Sequence, residues 1–377
     1  MTNGEAGVSI TEIAYLTPLF FSELSCLGGG ERYPLNLARG LVRASDGRCR
    51  VKLISYGNSQ SLEEIEPGVS LQVMTARRRP SRPLDVVSWQ IPRAIADADV
   101  VHIHQAFTRA GEAALLAARQ QRKWTCVTDH GGHSSTIGAQ VGSIELADRV
   151  ICYSDFGASL FETSVPIEVI KGGVDDIYFT EASPLPARRE YVLYVGRLLP
   201  HKGIDRLIDA LPVGLPLVVC GHKHREDYYQ RLLDLAAGKD VEFVTDADDD
   251  RIRELYRRAL ATVLPSVYRD CYGNSYVAPE LMGFTLLESM ACGTPAICSR
   301  VGAMPEFVDH GATGFVFDGT EDLTSYLELL ASNQGMAAEM GERARRAVEE
   351  KFSLRVVAVK TLALYDSLRQ GRRMEAA

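Results

Sequence analysis

The sequence predicts an α/β protein built from two doubly wound domains that face each other across a cleft. Its 377 residues exceed the usual size of a single domain, roughly 100 to 200 residues. Short apolar runs alternate with longer helical patterns almost from end to end, which indicates βαβ units and parallel sheets. A Pro-rich stretch at 183–189 divides the alternation into two series, and we interpret it as a linker.

The first series contains short apolar runs bounded by turn or charged residues. We predict strands at 12–16, 51–55, 71–74, 100–104, 126–128, 150–153 and 168–170. Apolar positions recur at helical spacing over 35–42, so a helix is expected after the first strand. This series defines a first Rossmann-like domain at 1–182.

The second series has the same alternation and predicts a second Rossmann-like domain at 190–352. We predict strands at 191–195, 217–220, 242–244, 262–264 and 296–297, with helices at 204–210 and 251–258 among them. The tail from 353 to 377 is helical by composition, and residues 354–368 carry an apolar face. That face must pack on another part of the protein.

The composition disfavours several classes of protein. The 41 basic and 49 acidic residues give a net charge of -8, with both signs scattered, which disfavours a nucleic-acid binder. No stretch reaches the roughly 20 apolar residues that span a bilayer. The eight cysteines include no Cys-x-x-Cys pair and the N-terminal residues lack a signal-peptide pattern, so we expect free thiols and a cytoplasmic protein.

A glycine cluster, Gly28-Gly29-Gly30, lies between the first predicted strand and the first predicted helix. Glycines let a ligand approach the backbone closely, and the N–H groups at the start of a helix attract an anion. The same cluster is also consistent with a flexible turn that binds nothing. The sequence pattern leaves both interpretations open.

Two cations lie on the loop that follows the strand at 191–195. Arg197 and Lys202 can converge on one diphosphate, because Arg offers a fork of donors and Lys a compact charge. Loops at the carboxyl ends of strands are where open α/β sheets bind ligands, which favours this interpretation. A solvated basic loop is the alternative.

Two carboxylates, Glu280 and Glu288, flank the start of an otherwise apolar helix. An acid in an apolar setting needs a partner, and a carboxylate can accept one hydrogen bond from each hydroxyl of a vicinal diol such as a ribose. The alternative is one acid at a helix N-terminus and one on the surface.

Three weaker patterns are interpreted as structural. They are acids before a helix rather than a metal-binding pair, a His-Lys-His loop without zinc-ligating partners, and a solvated basic loop rather than a contact with a membrane or an anionic acceptor. The residues are, in that order, Asp246 and Asp248, His222 and His224, and Arg77, Arg78 and Arg79. We therefore predict no metal site.

In chain order, these motifs resemble those of the retaining GT-B glycosyltransferases of family 4, and the resemblance spans nearly the whole chain. The motifs are Gly28 to Arg32, Asp99-Val100-Val101-His102-Ile103-His104, Thr128-Asp129-His130-Gly131, Gly173-Val174-Asp175, the loop from Gly196-Arg197 to Lys202-Gly203, Pro265-Ser266, the block from Glu280 to Glu288, and Gly302-Ala303-Met304-Pro305-Glu306.

The resemblance implies transfer of a sugar from a nucleotide diphosphate donor to an acceptor, with retention at the anomeric carbon. The donor would carry UDP, GDP or another nucleotide, and the acceptor would be a small molecule, a glycan or a lipid. No metal or further cofactor is implied. The C-terminal helix of this family usually crosses back to the first domain, which suits the tail at 353–377.

Matching positions imply roles for individual residues. Arg197 and Lys202 would hold the diphosphate, and Glu288 the ribose hydroxyls. The donor sugar and a phosphate oxygen would contact Glu280 and the backbone of Met282, Gly283, Phe284 and Thr285, with His130 touching the sugar and the amides of Gly29 and Gly30 completing the phosphate site.

A reaction of this kind needs no protein nucleophile. The leaving diphosphate gains negative charge, so fixed cations stabilise the transition state, and attack by the acceptor on the leaving-group face is preferred. One alternative is a nucleotide-sugar epimerase of the same fold, which is expected to lack the two-glutamate block. A second is a catalytically silent nucleotide-sugar binding protein.

The chain departs from the family pattern at one place in particular. Residues 267–279 intervene between the Pro-Ser pair and Glu280, where the family has only a few residues, and Met282 replaces the usual Phe. The insertion is consistent with selection of the sugar, with closure over the acceptor, or with a surface loop that has no role.

Overall fold

The computed structural model describes residues 11–17, 29–75, 86–105, 107–130, 142–179 and 189–375. It divides into two compact units. The first contains Met1–Tyr153, Ala158–Gly173 and Leu354–Ala377, and the second contains Ser154–Gly157 and Val174–Ser353. The predicted linker at 183–189 lies outside the described residues except for Arg189.

The first unit contains an eight-stranded sheet in the order β3-β4-β2-β1-β5-β6-β7-β8. Strand β3 is antiparallel to β4, and the other neighbours are parallel. The strands are β1 (Thr11–Leu16), β2 (Cys49–Gly57), β3 (Ser61–Glu66), β4 (Val69–Thr75), β5 (Val100–His104), β6 (Trp124–Thr128), β7 (Arg149–Cys152) and β8 (Ile167–Val169). The chain moves outward from β1 in one direction and then resumes on the other side of β1 with β5, so the strand order reverses between β1 and β5.

Helices connect these strands, as parallel pairing requires. The described ones are α1 (Gly29–Ala44), α2 (Ile91–Ala94) and α3 (Arg109–Gln120), with a 3-10 turn at Ser143–Leu146. Helix α4 (Asp155–Ser159) follows β7, and its first residues are assigned to the second unit. Helix α3 begins where the Thr108 side chain accepts a hydrogen bond from the Gly111 N–H at 3.1 Å. Apolar side chains from the strands and from α3 form a buried core that includes Val101, Ile103, Ala114 and Val127.

The second unit contains a six-stranded parallel sheet in the order β11-β10-β9-β12-β13-β14. Its strands are β9 (Tyr191–Val195), β10 (Leu217–Cys220), β11 (Val241–Val244), β12 (Ala259–Leu264), β13 (Ala296–Ser299) and β14 (Gly314–Phe317). Strand order reverses here between β9 and β12. Strand β12 is buried along its whole length, which fits its apolar sequence Ala-Leu-Ala-Thr-Val-Leu.

The longer helices of the second unit follow the strands in turn. They are α5 (Ile204–Ala210), α6 (Glu226–Ala236), α7 (Asp249–Arg258), α8 (Phe284–Ala291), α9 (Thr320–Ser332) and α10 (Gln334–Lys351), with 3-10 turns at Asp176–Phe179, Pro200–Lys202 and Met304–Glu306. These two sheets with their helices confirm the predicted fold class of two Rossmann-like α/β domains.

The last helix, α11 (Leu354–Glu375), belongs to the first unit and packs on α1. Gly40 of α1 permits this contact, because an added Cβ would lie 3.1 Å from Leu354 Cγ and 3.2 Å from Ala358 Cβ. Tyr365 of α11 lies 3.1 Å from the Tyr15 hydroxyl of β1, oxygen to oxygen. The apolar face predicted at 354–368 is buried by these contacts.

Two of the described strands were not predicted from the sequence. Strand β3, Ser-Leu-Glu-Glu-Ile-Glu, is an exposed edge strand whose acidic side chains hide any apolar alternation. Strand β14, Gly-Phe-Val-Phe, is short and buried, a pattern that does not distinguish a strand from a buried loop.

The boundary between the units also differs from the prediction, which ended the first domain at 182. The structure assigns residues from Val174 onward to the second unit, where the Val174 N–H donates to the Phe352 carbonyl at 3.2 Å. Ser154 also lies with the second unit and donates from its hydroxyl to the Leu281 carbonyl at 2.8 Å. Contacts between residues far apart in sequence set this boundary, so composition could not reveal it.

Among the described helices, none has the length and apolar character needed to cross a membrane.

Candidate functional site

The second unit places several predicted residues where its strand order reverses. Strands β9 and β12 are neighbours in the sheet, and Gly196 and Pro265 follow their carboxyl ends. Open α/β sheets bind ligands at this topological position, because the connections leave in opposite directions and open a crevice. The loop from 196 to 203 and the segment beginning at 265 both start there.

Lys202 and Glu280 form a salt bridge, with 2.5 Å between Lys202 Nζ and Glu280 Oε1. Only 13% of the Lys202 side chain and 8% of the Glu280 side chain are exposed. Little water screens such a pair, so its attraction is strong, and loss of either partner leaves an uncompensated charge. From the sequence we expected Lys202 to contact the diphosphate and Glu280 to contact the donor sugar. The structure shows that the two side chains also contact each other.

Ser266 completes the surroundings of the Glu280 carboxylate. Its hydroxyl donates to Glu280 Oε1 at 2.6 Å, and its own carbonyl accepts from the Ser299 hydroxyl at 2.6 Å. The Glu280 carbonyl accepts from the Ala303 N–H at 3.1 Å. The side chain and the backbone of Glu280 are therefore both held.

Close backbone approaches shape the loop that carries Lys202. Gly203 has a φ of 67° and ends the 3-10 turn at Pro200–Lys202. A side chain there would collide with the carbonyl of Pro265, so only glycine lets the two loops meet. Arg197, at the start of the same loop, is exposed and forms no salt bridge with any residue the structure describes.

Helix α8 begins next to the carboxyl end of β12. Gly283 caps it with a φ of 92°, and an added Cβ would lie 3.6 Å from Leu264, the last residue of β12. Met282 and Gly283 are buried, whereas Phe284 and Thr285 in the first turn are half-buried. The N–H groups of a first helical turn and the helix dipole favour an anion at this position.

Glu288 lies on the second turn of α8 and is half-buried. Its Oε2 accepts a hydrogen bond from the Tyr256 hydroxyl at 2.9 Å. Burial, followed by the nearby Glu288 charge, raises the pKa of Tyr256 well above its ordinary value, so the hydroxyl stays protonated and donates. Sequence reasoning missed Tyr256, which reads as a core aromatic on one face of α7.

Several of the weaker sequence features also have defined positions. The Asp248 carboxylate caps α7 by accepting from the Arg251 N–H at 2.8 Å. His222 and His224 follow β10, and within the described ranges no group of three or more His, Cys, Asp or Glu side chains is arranged to hold a metal ion. Arg77, Arg78 and Arg79 lie outside the described residues.

The first unit places His130 in a network of rings at the ends of β5 and β6. His130 Nδ1 lies 2.7 Å from the Tyr153 hydroxyl, and His130 Nε2 lies 3.0 Å from His104 Nδ1. The backbone N–H of His130 donates to the Gln105 side-chain carbonyl at 2.8 Å. Both nitrogens of the ring therefore have partners inside the first unit.

His102 continues this network within the sheet. Its Nδ1 lies 2.6 Å from the Tyr365 hydroxyl and its Nε2 lies 2.8 Å from the Thr128 hydroxyl. The His102 and His104 rings stack with their centroids 4.1 Å apart. We call His102, His104 and His130 the histidine cluster.

Burial keeps the histidine cluster uncharged. It lowers the pKa of His102 to about 3 and that of His130 to about 4, and it holds the pKa of His104 well below its ordinary value. The neighbouring rings add to the effect in His102 and His104, because a second positive charge close by is unfavourable. At neutral pH all three rings are neutral.

The predicted glycine cluster lies only partly within the described residues. Gly29 and Gly30 begin α1, so their amides belong to its first turn, and Gly28 lies outside the described residues. The sequence analysis included His104 in a family motif without giving it a role, and it did not identify Tyr153. Both occur in apolar strand or strand-end segments, and no local pattern marks their contact with His130.

Comparison with known proteins defines the class. The model for "Glycosyltransferase Family 4" matches residues 27–177, and the model for "Glycosyl transferases group 1" matches residues 178–347. Together they cover residues 27–347 without a gap. The chain is thus a glycosyltransferase of the GT-B fold, and it belongs to group 1, family 4.

Individual relatives agree with this assignment. The "Uncharacterized glycosyltransferase MJ1607" of Methanocaldococcus jannaschii is 30% identical over 199 residues, 51% of this chain and 48% of that protein, so the match spans about half of either. Sucrose-phosphate synthase from Thermosynechococcus elongatus has a TM-score of 0.76 at 20% identity, covering 96% of this chain and 100% of that one. Anabaena Alr3699/HepE in complex with UDP and glucose has a TM-score of 0.72 at 18% identity, covering 95% and 100%.

Proposed function

We propose that the protein transfers a sugar from a nucleoside diphosphate donor to an acceptor hydroxyl with retention at the anomeric carbon. The observation that carries this proposal is the buried Lys202–Glu280 pair at the reversal point of the second sheet. One of its members is suited to a phosphate oxygen and the other to sugar hydroxyls. The UDP bound to Anabaena Alr3699/HepE, a protein of the same fold, supports the choice of donor class.

Each residue has a role in this proposal. Arg197 and Lys202 bind the diphosphate, and the start of α8 offers N–H groups to one of its oxygens. Glu280 orients the donor sugar. Glu288, with one oxygen held by Tyr256, accepts a hydrogen bond from the ribose.

The reaction follows from where charge develops. The bond between the anomeric carbon and the leaving phosphate oxygen breaks, and the electron pair leaves with the diphosphate. The acceptor oxygen bonds to the same face of that carbon, and its proton passes to the leaving oxygen. Arg197 and Lys202 stabilise the growing negative charge more in the transition state than in the bound donor, which accelerates the step.

A donor screen tests the proposal. The purified protein is heated with UDP-glucose, UDP-galactose, UDP-N-acetylglucosamine or GDP-mannose, and stabilised donors are then assayed for hydrolysis without an acceptor. Thermal stabilisation by a donor and by its free nucleoside diphosphate, together with slow donor hydrolysis, is expected. Stabilisation without any turnover, even with acceptors added, would favour a silent binding protein, and epimerised donor would favour an epimerase.

A further inference from the structure

The inserted segment 267–279 folds as a compact hairpin. Arg269 and Ser275 form an antiparallel bridge, and the Tyr276 N–H donates to the Tyr268 carbonyl at 2.8 Å. The segment begins immediately after Ser266 and ends immediately before Glu280, and these two residues are themselves joined by a 2.6 Å hydrogen bond. Both ends of the hairpin therefore lie beside the Glu280 carboxylate.

A buried carboxylate organises the turn. Asp270 is 6% exposed and accepts from the backbone N–H groups of Tyr272 and Asn274, each at 2.9 Å. Its other oxygen accepts from the Asn274 amide at 3.0 Å and from the Tyr276 hydroxyl at 2.8 Å. Burial alone would raise the pKa of Asp270, but the hydrogen bonds from Asn274 and Tyr276 outweigh it and lower the pKa. The ionised carboxylate fixes the shape of the hairpin.

One side of the hairpin holds the residue next to Lys202. The Val267 N–H donates to the His201 carbonyl at 2.9 Å, and the ring of Tyr276 packs on the ring of His201 with centroids 4.7 Å apart. The Tyr276 hydroxyl is the one that reaches Asp270. A single tyrosine thus links the turn of the hairpin to the loop that carries Lys202.

The other side of the hairpin holds the backbone beneath Glu280. The Tyr268 hydroxyl accepts from the Gly302 N–H at 2.9 Å. Gly302 has a φ of 57° and lies so close to the Glu280 carbonyl that no side chain would fit. Tyr268 therefore fixes the strip of backbone against which Glu280 rests.

We propose that this hairpin is a positioning element of the donor site, with Tyr268 and Tyr276 as its positioning residues. This inference rests on the proposed function. Tyr276 acts through His201 on Lys202, and Tyr268 acts through Gly302 on Glu280. Together they set the geometry of the salt bridge, so they govern turnover and the choice between epimeric sugars. Lys202 shares the nucleotide with Arg197, the start of α8 and Glu288, so a small displacement of Lys202 changes nucleotide affinity little.

Tyr268→Phe and Tyr276→Phe test this inference, since each removes one hydroxyl and keeps the ring. We expect kcat for donor hydrolysis to fall about tenfold in each, because displacements of well under 1 Å at a reacting centre already cost rate. The Kd of free UDP, or of GDP if that nucleotide binds the wild type, is expected to stay within about twofold. The ratio of kcat/KM for UDP-glucose and UDP-galactose is expected to change.

Val277→Ala is the matched control, because this hairpin side chain is 81% exposed. It is expected to behave as wild type in every assay. Tyrosine variants that keep both wild-type kcat and wild-type donor ratio would overturn the inference, as would equal losses of kcat, nucleotide affinity and melting temperature, which would indicate a purely structural role. A wild type that turns over no donor would instead refute the proposed function, and the inference with it.

Discussion

In the second unit, the strands at the reversal point are followed by charged side chains, whereas in the first unit the equivalent region holds histidines and tyrosines. Lys202 and Glu280 form a buried ion pair near the ends of β9 and β12. His102 and His104 are just as buried, but their environment keeps them neutral. The same topology thus presents charge in one unit and removes it in the other.

The physical difference lies in the available partners. In the second unit a lysine meets a carboxylate, so two charges compensate each other under burial. In the first unit the histidines meet tyrosines and one another, and the nearby Asp129 charge raises the pKa of His130 too little to outweigh burial. We infer that the charged contacts of a diphosphate donor belong to the second unit.

Removing one cation from the second unit should have the greatest consequence. Arg197→Ala and Lys202→Ala should each lower kcat about 100-fold or more, with a smaller change in donor affinity, because the leaving diphosphate gains charge in the transition state. The double variant should lose less than the product of the two, since both cations act on one group. Steady-state kinetics of donor hydrolysis measure this.

The matched control is Arg251→Ala, which removes an exposed cation of the same unit whose salt bridge within the described residues is to exposed Glu254. Exposed pairs of this kind contribute little, so kcat should be unchanged. Near-normal turnover in the Arg197 and Lys202 variants would contradict the proposal that these cations stabilise the leaving diphosphate.

Glu288→Gln should weaken nucleotide binding by about tenfold to 100-fold, because hydrogen bonds to a charged group are worth about 1.5–3 kcal/mol. Free diphosphate and complete donor should be affected equally if the contact is to the ribose. Tyr256→Phe removes only the hydroxyl that holds one Glu288 oxygen, and a smaller loss is expected. Isothermal titration that gave unchanged affinity in Glu288→Gln would contradict the assignment.

Burial of the histidine cluster should appear in the pH dependence of stability. Its folded-state pKa values lie below the ordinary histidine value, so the unfolded state binds more protons and stability rises with pH from about 4 to about 6.5. A fully buried histidine that stays neutral then contributes about 2 kcal/mol less at pH 5 than at pH 8.

Urea unfolding at several pH values measures this, with His102→Gln as the comparison. Glutamine does not titrate, so the stability of the variant should change less over the same pH range, whatever its absolute stability. A wild type whose stability is flat between pH 5 and pH 8 would show that the cluster is not held neutral.

The smallest expected effect is that of a chelator. Arg197, Lys202 and the start of α8 already supply positive charge to a diphosphate, so EDTA should leave donor hydrolysis unchanged. Activity abolished by EDTA and restored by Mn²⁺ or Mg²⁺ would overturn this prediction and direct attention to Asp246 and Asp248.

Local patterns in the sequence were sufficient for the fold. Short continuous apolar runs predicted most strands of both sheets, because a buried parallel strand must be apolar along its length, as β12 is. The same rule failed for β3, which lies at an exposed edge and is acidic. The side chains of an edge strand can be polar because solvent reaches them, so such a strand lacks the apolar pattern that identifies a buried one.

The candidate site was predictable only in its residue types. Arg197, Lys202, Glu280 and Glu288 have the chemistry of a diphosphate and sugar site, but their partners depend on contacts between distant segments. Ser266 reaches Glu280 across the whole hairpin, and Tyr256 reaches Glu288 from another helix. No spacing in the sequence encodes such pairs, because they form only when the strands are placed side by side.

The most direct test of the central claim is the product of donor hydrolysis by the wild type and by Lys202→Ala, followed by proton NMR before mutarotation. With a donor of α configuration, we expect the wild type to release the α sugar first. We expect the variant to form this sugar at least about 100-fold more slowly. Initial release of the β sugar, or equal rates in the two proteins, would contradict the central claim.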